Sequence, residues 1–580
     1  MSQTPERRAS LLARVTPLAP VLLLATFATL ASVSLTLDSP TFDEPTHLLA
    51  GVSYLQTGDF RLNPEHPPLA KMWAALPLVA SGVEHIDPTA IRWRRARQRE
   101  MGFEFVNGRF EDRQRLDPNA RLVPARLAMV AVGLLLLGVT YLWSRELWGL
   151  RGGRLSLVLA ALSPTMLAHS RLVTTDVPAA LGFAATLWCF WRFCRNPSLA
   201  RALALGVVLG SALLVKFSTV MLPPMLIGLL AVWVIVPPAG NVASWTRLRR
   251  LTTGIGALAL AAVVSVAVVW AGYGFRYKAM RTPDAVMDWP AVRAPSDTLQ
   301  RSLTWVRHSR LLPEAYLYGV SYVLSKADRR TFLNGRILEH GSHLYFAEAF
   351  ALKSTPALLA FSAWLLWRAV RGRWSFDGWS LFIPIAVYGL VAVLSPLNIG
   401  HRHLLPVYAW LFIALGALAS GVQTSRVATI AMAFLIAAHA LSSASAFPRY
   451  LAYFNVLAGG SARGWHYLVD SNIDWGQDMR RLRAWMDENA VPRIYLAYFG
   501  SADPATYGIR YRPIVMVEDF EERRPAYPEP SEYFAVSVTL LQGLYVTSPE
   551  VGQWLRHVRD EMTPVDRAGD SLFIYRMPAR

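Results

Sequence analysis

Long apolar runs recur along the whole chain, and they constrain its fold more than any other feature. Each covers about 17 to 24 residues, enough to cross about 30 Å of hydrocarbon at about 1.5 Å per residue. The 580-residue chain is 53% hydrophobic and only 17% charged, which is too apolar for one soluble globule. About eleven such runs predict a mainly α, polytopic membrane protein. The runs are Val15–Leu37, Ala125–Tyr141, Leu155–Leu172, Val177–Phe193, Ala202–Phe217, Val220–Val236, Thr252–Tyr273, Ala347–Trp367, Trp379–Leu397, Leu404–Ser420 and Val427–Phe447.

The arginines in the short connections predict how the runs are oriented. Positive charge precedes the first run. Because successive runs cross the membrane in alternating directions, the later arginine clusters fall on that same side, which the positive-inside rule identifies as cytoplasmic. These clusters are Arg7/Arg8/Arg14, Arg145/Arg151/Arg154, Arg192/Arg195/Arg201, Arg247/Arg249/Arg250, Arg371/Arg373 and Arg426. We therefore expect an uncleaved, cytoplasmic N-terminus in a bacterial inner membrane. Two long loops, 38–124 and 274–346, and the tail from 448 then lie on the periplasmic, outer side.

The net charge of +18 raises the question of a nucleic-acid partner. The basic residues stand in short clusters between apolar runs, where they orient helices and contact anionic headgroups. We therefore expect membrane lipids, and not nucleic acid, as partners. Cys189 and Cys194 are too few for a disulfide framework or a cysteine-based zinc site.

The tail has the pattern of a small folded domain. Residues Met479–Asn489 have helical spacing, and Arg493–Phe499, Tyr533–Val538 and Ser571–Met577 are typical of strands. The sequence thus predicts two domains: a transmembrane catalytic domain over residues 1–447 and a soluble α/β domain over residues 448–580.

Two short amphipathic helices are predicted in the first outer loop. Asp43-Glu44-Pro45 begins the first helix and Gly58 ends it; proline suits the first turn, so Asp43 could be no more than a cap. A stiff Asn63–Pro68 corner precedes the second helix, in which Lys71 points away from the apolar face. A turn rich in acid, imidazole and ammonium groups between two interfacial helices predicts a reaction site at headgroup depth.

Two motifs in this loop carry a family resemblance. Phe42-Asp43-Glu44-Pro45 and His66-Pro67-Pro68-Leu69-Ala70-Lys71 resemble the first luminal loop of the GT-C glycosyltransferases, in particular the protein O-mannosyltransferase-like family 39. The resemblance implies a GT-C-like membrane fold with its catalytic carboxylate at Asp43 and Glu44 beside it. It also implies a donor phosphate near Lys71, in the element that begins at His66.

Further motifs resemble the same enzymes. Thr174–Pro178 resembles their second acidic element and implies a catalytic role for Asp176, whose alternative is a helix cap. The segments around Lys353 and Arg402 imply further phosphate ligands, although a basic residue at a span end is often only a headgroup anchor. His401 and His403 are candidate substrate or metal contacts; a divalent cation stays open, and no other cofactor is indicated. Asp470–Asp478 shares the resemblance, but we interpret it as a turn that docks the tail.

The candidate acidic residues lie on the predicted outer side of the membrane, and this position determines which sugar donor the chemistry can use. Nucleotide sugars are kept in the cytoplasm, so an outer site needs a donor that can be flipped across, such as a polyprenyl-phosphate-linked sugar. We therefore expect a hexosyl- or pentosyltransferase that works by inverting direct displacement with Asp43 as the base. Its acceptor would be an envelope glycan, lipid or protein. The alternatives are an oligosaccharide transferase or ligase of the same architecture and, in a different class, a multi-pass transporter.

Overall fold

The computed structural model describes residues 18–109, 114–282, 286–372, 374–420, 425–518, 520 and 523–579. The chain is mainly α, as predicted, with a small sheet near the C-terminus. Arg7, Arg8, Arg14 and Arg373, which entered the orientation argument, lie outside the described residues.

Within the described ranges, seven helices are long and apolar enough to cross a bilayer. A bent pair, Tyr345–Lys353 and Pro356–Arg371, meets at 116° and would make an eighth span. The predicted count of eleven is not confirmed, because Ala19–Leu35 and Leu199–Leu213 are helical but shorter than a typical span. The seven are Pro118–Ala161, Asp176–Arg195, Phe217–Ile235, Arg247–Gly272, Phe376–Leu394, His401–Ala419 and Arg426–Ala446.

The longest of these helices, Pro118–Ala161, consists of two helical arms that meet at a sharp turn. Its backbone leaves the helical region at Gly149 (φ 75°, ψ −178°), a conformation that glycine adopts without the usual Cβ penalty. A Cβ placed on Gly153 would lie 3.0 Å from the carbonyl oxygen of Tyr141, so the two arms pack against each other. The arms correspond to the second and third predicted runs. The third run is shorter than expected, because Pro164 begins a separate helix, Pro164–His169.

The first loop contains the two expected helices, but only one has the expected surroundings. Helix Glu44–Thr57 has proline in its first turn and ends at Gly58 with φ 62°. Its apolar residues, such as Leu48 and Val52, are fully buried, so it packs inside the protein and not on the membrane surface. Helix Leu69–Ala80 does expose the predicted apolar face, including Trp73. Short helices Ile91–Arg94 and Gln98–Asn107 complete the loop.

The second loop packs against the first. It contains helices Asp297–His308 and Glu314–Ser325, followed by an antiparallel hairpin of Thr331–Leu333 and Arg336–Leu338. Thr331 Oγ1 donates to the carbonyl of Asn398 at 3.1 Å, which ties the hairpin to the segment before His401–Ala419.

The tail forms a five-stranded mixed sheet with helices Met479–Glu488 and Pro549–Glu561. The first three strands in spatial order are parallel, the fourth is antiparallel to the third, and the fifth is antiparallel to the fourth. The spatial order is Tyr511–Met516, Ile494–Tyr498, Tyr533–Ser537, Leu572–Arg576 and Asp566–Ala568. The predicted helix and three strands are confirmed. Both missed strands are edge strands, one short and one containing Pro513, which a central strand would not tolerate.

The tail and the membrane helices share one apolar core. A single cluster of buried residues includes Phe27 and Tyr408 from the helices and Trp475 and Phe534 from the tail. The tail therefore packs directly on the ends of the helices, on the same side as both loops. The division at residues 447 and 448 stays a prediction.

Candidate active site

A cavity of about 330 Å³ lies where the two loops meet the ends of the helices. We call it the central cavity. We call its apolar lining residues, which include Val220, Met221 and Val391, the apolar wall. Its polar lining residues, the polar wall, combine carboxylates with basic side chains. Its polar residues are Asp43, Glu65, His66, Lys216, Ser218, Tyr322, Lys326, Arg329, Tyr388, Ser395, Arg402 and His403.

Asp43 stands directly before helix Glu44–Thr57 and faces the cavity. Its side chain makes no capping hydrogen bond to that helix. Oδ2 instead accepts from Nη1 of Arg402 at 3.2 Å, and the side chain is 29% exposed. Asp43 is therefore available to a ligand in the cavity and does not act as a side-chain cap.

Four charged residues form a continuous chain along the polar wall. The same Nη1 of Arg402 lies 3.3 Å from Oδ2 of Asp176, whose other oxygen accepts from Lys216 Nζ. Asp176 is only 1% exposed and Arg402 only 7%. The order Lys216–Asp176–Arg402–Asp43 places two cations at the cavity and leaves Asp43 as its exposed end. The structure thus brings together three residues that the sequence motifs indicated separately.

Lys216 was missed by the sequence analysis, although a signal for it exists. It is a lone cation between two apolar helices, and ionisable groups at such positions usually have a function. Lys326 and Arg329 also line the cavity, but they belong to a connection without any recognised motif.

Glu44, the neighbour of Asp43, lies away from the cavity. It is fully buried and accepts two hydrogen bonds from Arg126, at 2.9 and 2.5 Å, and others from the amides of Thr41 and Val173. Burial raises the pKa of the Glu44 carboxyl, but Arg126 and these hydrogen bonds lower it by more, so its net pKa is below the ordinary value. Glu44 is held as a carboxylate with its bonding capacity used.

Glu44 and Arg126 belong to a larger buried group, the closed cluster, which also contains Asp38, Arg171 and Arg481. Asp38 lies 2.7 Å from Arg171 and 2.9 Å from Arg481. Arg126 also donates to the carbonyls of Leu35, Asp38 and Ser39, at 2.8, 2.9 and 2.9 Å. Burial opposes the ionisation of Asp38, but the three arginines lower its pKa overall. This cluster fixes the backbone just before Asp43.

Two lysines that the sequence suggested as phosphate ligands lie off the cavity wall. Lys71 Nζ donates to Tyr54, to His66, and to both oxygens of Asn63, and burial lowers the pKa of Lys71 well below its ordinary value. Lys353 Nζ donates to the carbonyls of Leu451 and Asn472. In this structure each lysine holds a piece of backbone in place.

The histidines divide between the cavity and the interior. His66 and His403 line the cavity, whereas the His401 ring is buried against Tyr408, with Nε2 3.2 Å from its hydroxyl. The two neighbouring histidines therefore do not converge on one point. Within the described part of the chain, no group of three His, Cys, Asp or Glu side chains could hold a metal ion.

These features define a polytopic membrane protein with a charged cavity at one end of its helices. Residues 119–270 match the family model described as dolichyl-phosphate-mannose-protein mannosyltransferase. This match confirms the resemblance to the GT-C, protein O-mannosyltransferase-like enzymes that the motifs indicated. The matched segment contains Arg126, Asp176 and Lys216, but not Asp43 or Arg402.

Solved structures with a similar course of the chain are distant in sequence. ArnT from Cupriavidus metallidurans bound to undecaprenyl phosphate is 14% identical, with TM-score 0.47, over 96% of this chain and 97% of that one. The Archaeoglobus fulgidus oligosaccharyltransferase is 14% identical, with TM-score 0.43, over 90% and 70%. The S. cerevisiae Pmt1-Pmt2 complex is 19% identical, with TM-score 0.31, over 44% and 32%. A sequence search of curated proteins gave no match.

Proposed function

We propose that this chain is an integral-membrane glycosyltransferase that moves one sugar from a polyprenyl-phosphate carrier to an acceptor in the cell envelope. One observation carries the proposal: the partly exposed carboxylate of Asp43 shares a cavity with Arg402, Lys216 and the apolar wall. A carboxylate suits a hydroxyl acceptor, the cations suit a phosphate, and the wall suits an isoprenoid chain.

The proposed reaction is a direct displacement at the anomeric carbon. Asp43 takes the proton of the acceptor hydroxyl, whose oxygen forms the new glycosidic bond. The bond between the anomeric carbon and the phosphate oxygen breaks, and its electron pair leaves with the phosphate. Arg402 and Lys216 stabilise the charge that develops there, and the single displacement inverts the anomeric configuration.

Asp176 has a supporting role in this scheme. It contacts both Arg402 and Lys216 and is almost fully buried, so it keeps the two cations close together. An incoming phosphate competes with Asp43 for Arg402, and the carboxylate then becomes free to accept a proton. The positions of His66 and His403 on the same wall suit contacts to the sugar or the phosphate.

The proposal places the cavity outside the cytoplasm of a bacterium, with the N-terminus inside. Both loops and the tail lie at one end of the helices, while Arg192 and Arg195 pair with acids at the other end. This separation is what the positive-inside rule leads us to expect. Lys71 keeps its proposed role near the donor phosphate, on the condition that it exchanges at least one of its present hydrogen bonds.

The function can be tested with the purified chain in liposomes. Four donors are compared: polyprenyl-phosphate hexose, polyprenyl-phosphate pentose, polyprenyl-diphosphate oligosaccharide and a nucleotide sugar. We expect transfer from a polyprenyl-monophosphate monosaccharide alone, with inversion of the anomeric centre. Transfer from the nucleotide sugar, or of a whole oligosaccharide, would contradict the proposal; uptake of sugar without bond formation would support the transporter.

The mechanism is tested by Asp43→Asn, which keeps the shape of the side chain and removes its basicity. We expect turnover to fall about 10²- to 10⁴-fold, the range typical of general base catalysis. Asp117→Asn is the matched control, since Asp117 is an exposed carboxylate in the same loop, 64% exposed, and does not line the cavity. Retained turnover in Asp43→Asn would exclude Asp43 as the base.

A further inference from the structure

The acidic run of the tail is buried. We call residues Asp470–Asp478 the docking segment. Every residue in it is buried, and one side of it bonds to the tail. Asp474, for example, accepts from the amide of Thr539 at 3.0 Å. The interpretation as a docking turn agrees with these contacts but leaves the far side of the segment unexplained.

The far side of the segment contacts the backbone just before Asp43. The carbonyl of Trp475 accepts from the amide of Phe42 at 2.9 Å, and the carbonyls of Gly476 and Gln477 accept from Ser39 at 2.8 and 3.0 Å. The tail therefore holds the chain one residue away from the proposed base.

The same segment also contacts the backbone just before Arg402. Ser471 Oγ donates to the carbonyl of Ile399 at 2.8 Å, and Asn472 Oδ1 accepts from the amide of His401 at 2.9 Å. Gly400 lies against Ser471 so closely that a Cβ would stand 2.2 Å from its Oγ. One nine-residue segment thus fixes the main chain at both ends of the Asp43–Arg402 ion pair.

The side chain of Trp475 lies directly on Arg402. Its ring centroid is 4.2 Å from the guanidinium carbon, and the indole is only 1% exposed. An aromatic ring on the face of a guanidinium fixes its plane without using its N–H donors, which point outward from the edge. Nε of Arg402 is buried and bonds to none of the described residues. The stacked arginine therefore keeps donor capacity for an anion.

We propose that Trp475 is a positioning residue for the transfer reaction, and that the tail is part of the reaction site and not only an attached domain. This inference rests on the proposed function. Trp475 orients Arg402 by stacking, and its carbonyl, with its neighbours, orients Asp43. A single segment thereby positions both Asp43 and Arg402, the acid and the cation that must act on opposite sides of one anomeric carbon.

The test compares Trp475→Leu with Trp475→Phe. Leucine removes the aromatic face and much of the packing that holds the docking segment in place, whereas phenylalanine retains the face. Because small misplacements of reacting groups are costly, we expect Trp475→Leu to lower kcat by about ten-fold to 100-fold with little change in the KM of the donor. Trp475→Phe should recover most of this loss. Trp465→Leu is the control, since Trp465 packs edge-to-face on Phe573 within the tail, with ring centroids 5.1 Å apart.

A second measurement does not depend on turnover. Hydrogen exchange at the amides of Phe42 and His401 should become faster in Trp475→Leu and stay unchanged in Trp465→Leu. Equal kcat in Trp475→Leu and the wild type, or loss of kcat that phenylalanine fails to recover, would overturn the positioning role. Unchanged exchange at both amides would also overturn it. A wild-type chain that transfers no sugar from any lipid donor would instead refute the proposed function, while the exchange result still decides whether Trp475 fixes these segments.

Discussion

The central cavity and the closed cluster both pair aspartate or glutamate with arginine, yet the pairs Asp43–Arg402 and Glu44–Arg126 differ in exposure and in how many of the arginine donors are used. They are joined at one peptide bond, since Asp43 belongs to the first and Glu44 to the second. Residues adjacent on a helix point about 100° apart, so the two acids reach different surroundings. Glu44 is fully buried, whereas the Asp43 side chain is 29% exposed.

The difference shows what separates a structural ion pair from one suited to bind a ligand. In the closed cluster, Arg126 bonds to Glu44 and to three carbonyl oxygens, so its N–H donors are all used. At the cavity, a single Nη1 of Arg402 serves both Asp43 and Asp176, while its Nε bonds to no described residue. An ion pair whose arginine donors are all used (a saturated pair) holds the backbone in place. An ion pair with an unused donor beside a cavity (an unsaturated pair) can exchange partners.

The largest effect is expected from breaking the closed cluster. Glu44→Gln leaves the Arg126 guanidinium buried without its counter-charge, and removing one partner of a buried pair typically costs about 3 to 5 kcal/mol. We expect the free energy of unfolding, measured by denaturation in detergent, to fall by that amount. Asp43→Asn, one residue away, should change it by less than about 1 kcal/mol, because Asp43 is partly solvated.

The control is the double variant Glu44→Gln/Arg126→Met, which removes both charges. The two losses should be less than additive, because the second substitution removes the uncompensated charge, although it also leaves the carbonyls of Leu35, Asp38 and Ser39 without a donor. If Asp43→Asn destabilised the protein as much as Glu44→Gln, the distinction between the two groups would be wrong.

How far the sequence predicts this arrangement depends on the kind of feature. Apolar periodicity and the Pro45 and Gly58 signals gave the first-loop helix to within a residue, because those signals act locally. Burial of that helix was not predicted, since Leu48 and Val52 look the same whether they face lipid or protein. The count of eleven spans was not confirmed for a related reason: hydropathy does not show that Pro164 begins a new helix within the run Leu155–Leu172.

The candidate site was predicted only in its parts. The motifs singled out Asp43, Asp176 and Arg402, but their mutual contacts depend on tertiary folding across more than 350 residues of chain, with Asp43 and Arg402 359 apart. Lys216 carries a local signal as a lone cation between two apolar helices, but nothing in the sequence shows that Lys216 reaches the cavity whereas Lys71 bonds to protein oxygens. The contact of Trp475 with Arg402 likewise needs the docked tail.

A smaller effect is expected from exchanging the two lysines in turn for methionine. Lys216→Met removes a cation from the cavity while Asp176 keeps Arg402 as a partner, so stability should change little. The affinity for a short-chain polyprenyl phosphate should fall about ten-fold, as for the loss of one charge-assisted contact. Isothermal titration with the purified chain measures this directly.

Lys71→Met is the matched comparison for that experiment. It leaves the oxygens of Asn63 and His66 without their buried donor, and we expect a loss of about 1 to 3 kcal/mol in stability. A loss of phosphate affinity in Lys71→Met without a loss of stability would show that this lysine contacts the donor after all. Equal phosphate affinity in Lys216→Met and the wild type would remove Lys216 from the phosphate site.

The smallest effect concerns pH and arises from the closed cluster alone. The pKa values of Glu44 and Asp38 are lowered in the folded protein, because burial is outweighed by Arg126 for the first and by Arg171, Arg481 and Arg126 for the second. Groups with a lowered folded pKa contribute stability above their unfolded pKa and lose it as the pH falls through the folded value.

We expect the wild type to lose about 1 kcal/mol or more per pH unit below about pH 4.5. The double variant Glu44→Gln/Arg126→Met should show a shallower decline, since only Asp38 then titrates in the cluster. Parallel curves for the wild type and the double variant would mean that the buried Glu44–Arg126 pair contributes nothing to acid sensitivity, and the contrast between saturated and unsaturated pairs would then lack its thermodynamic basis.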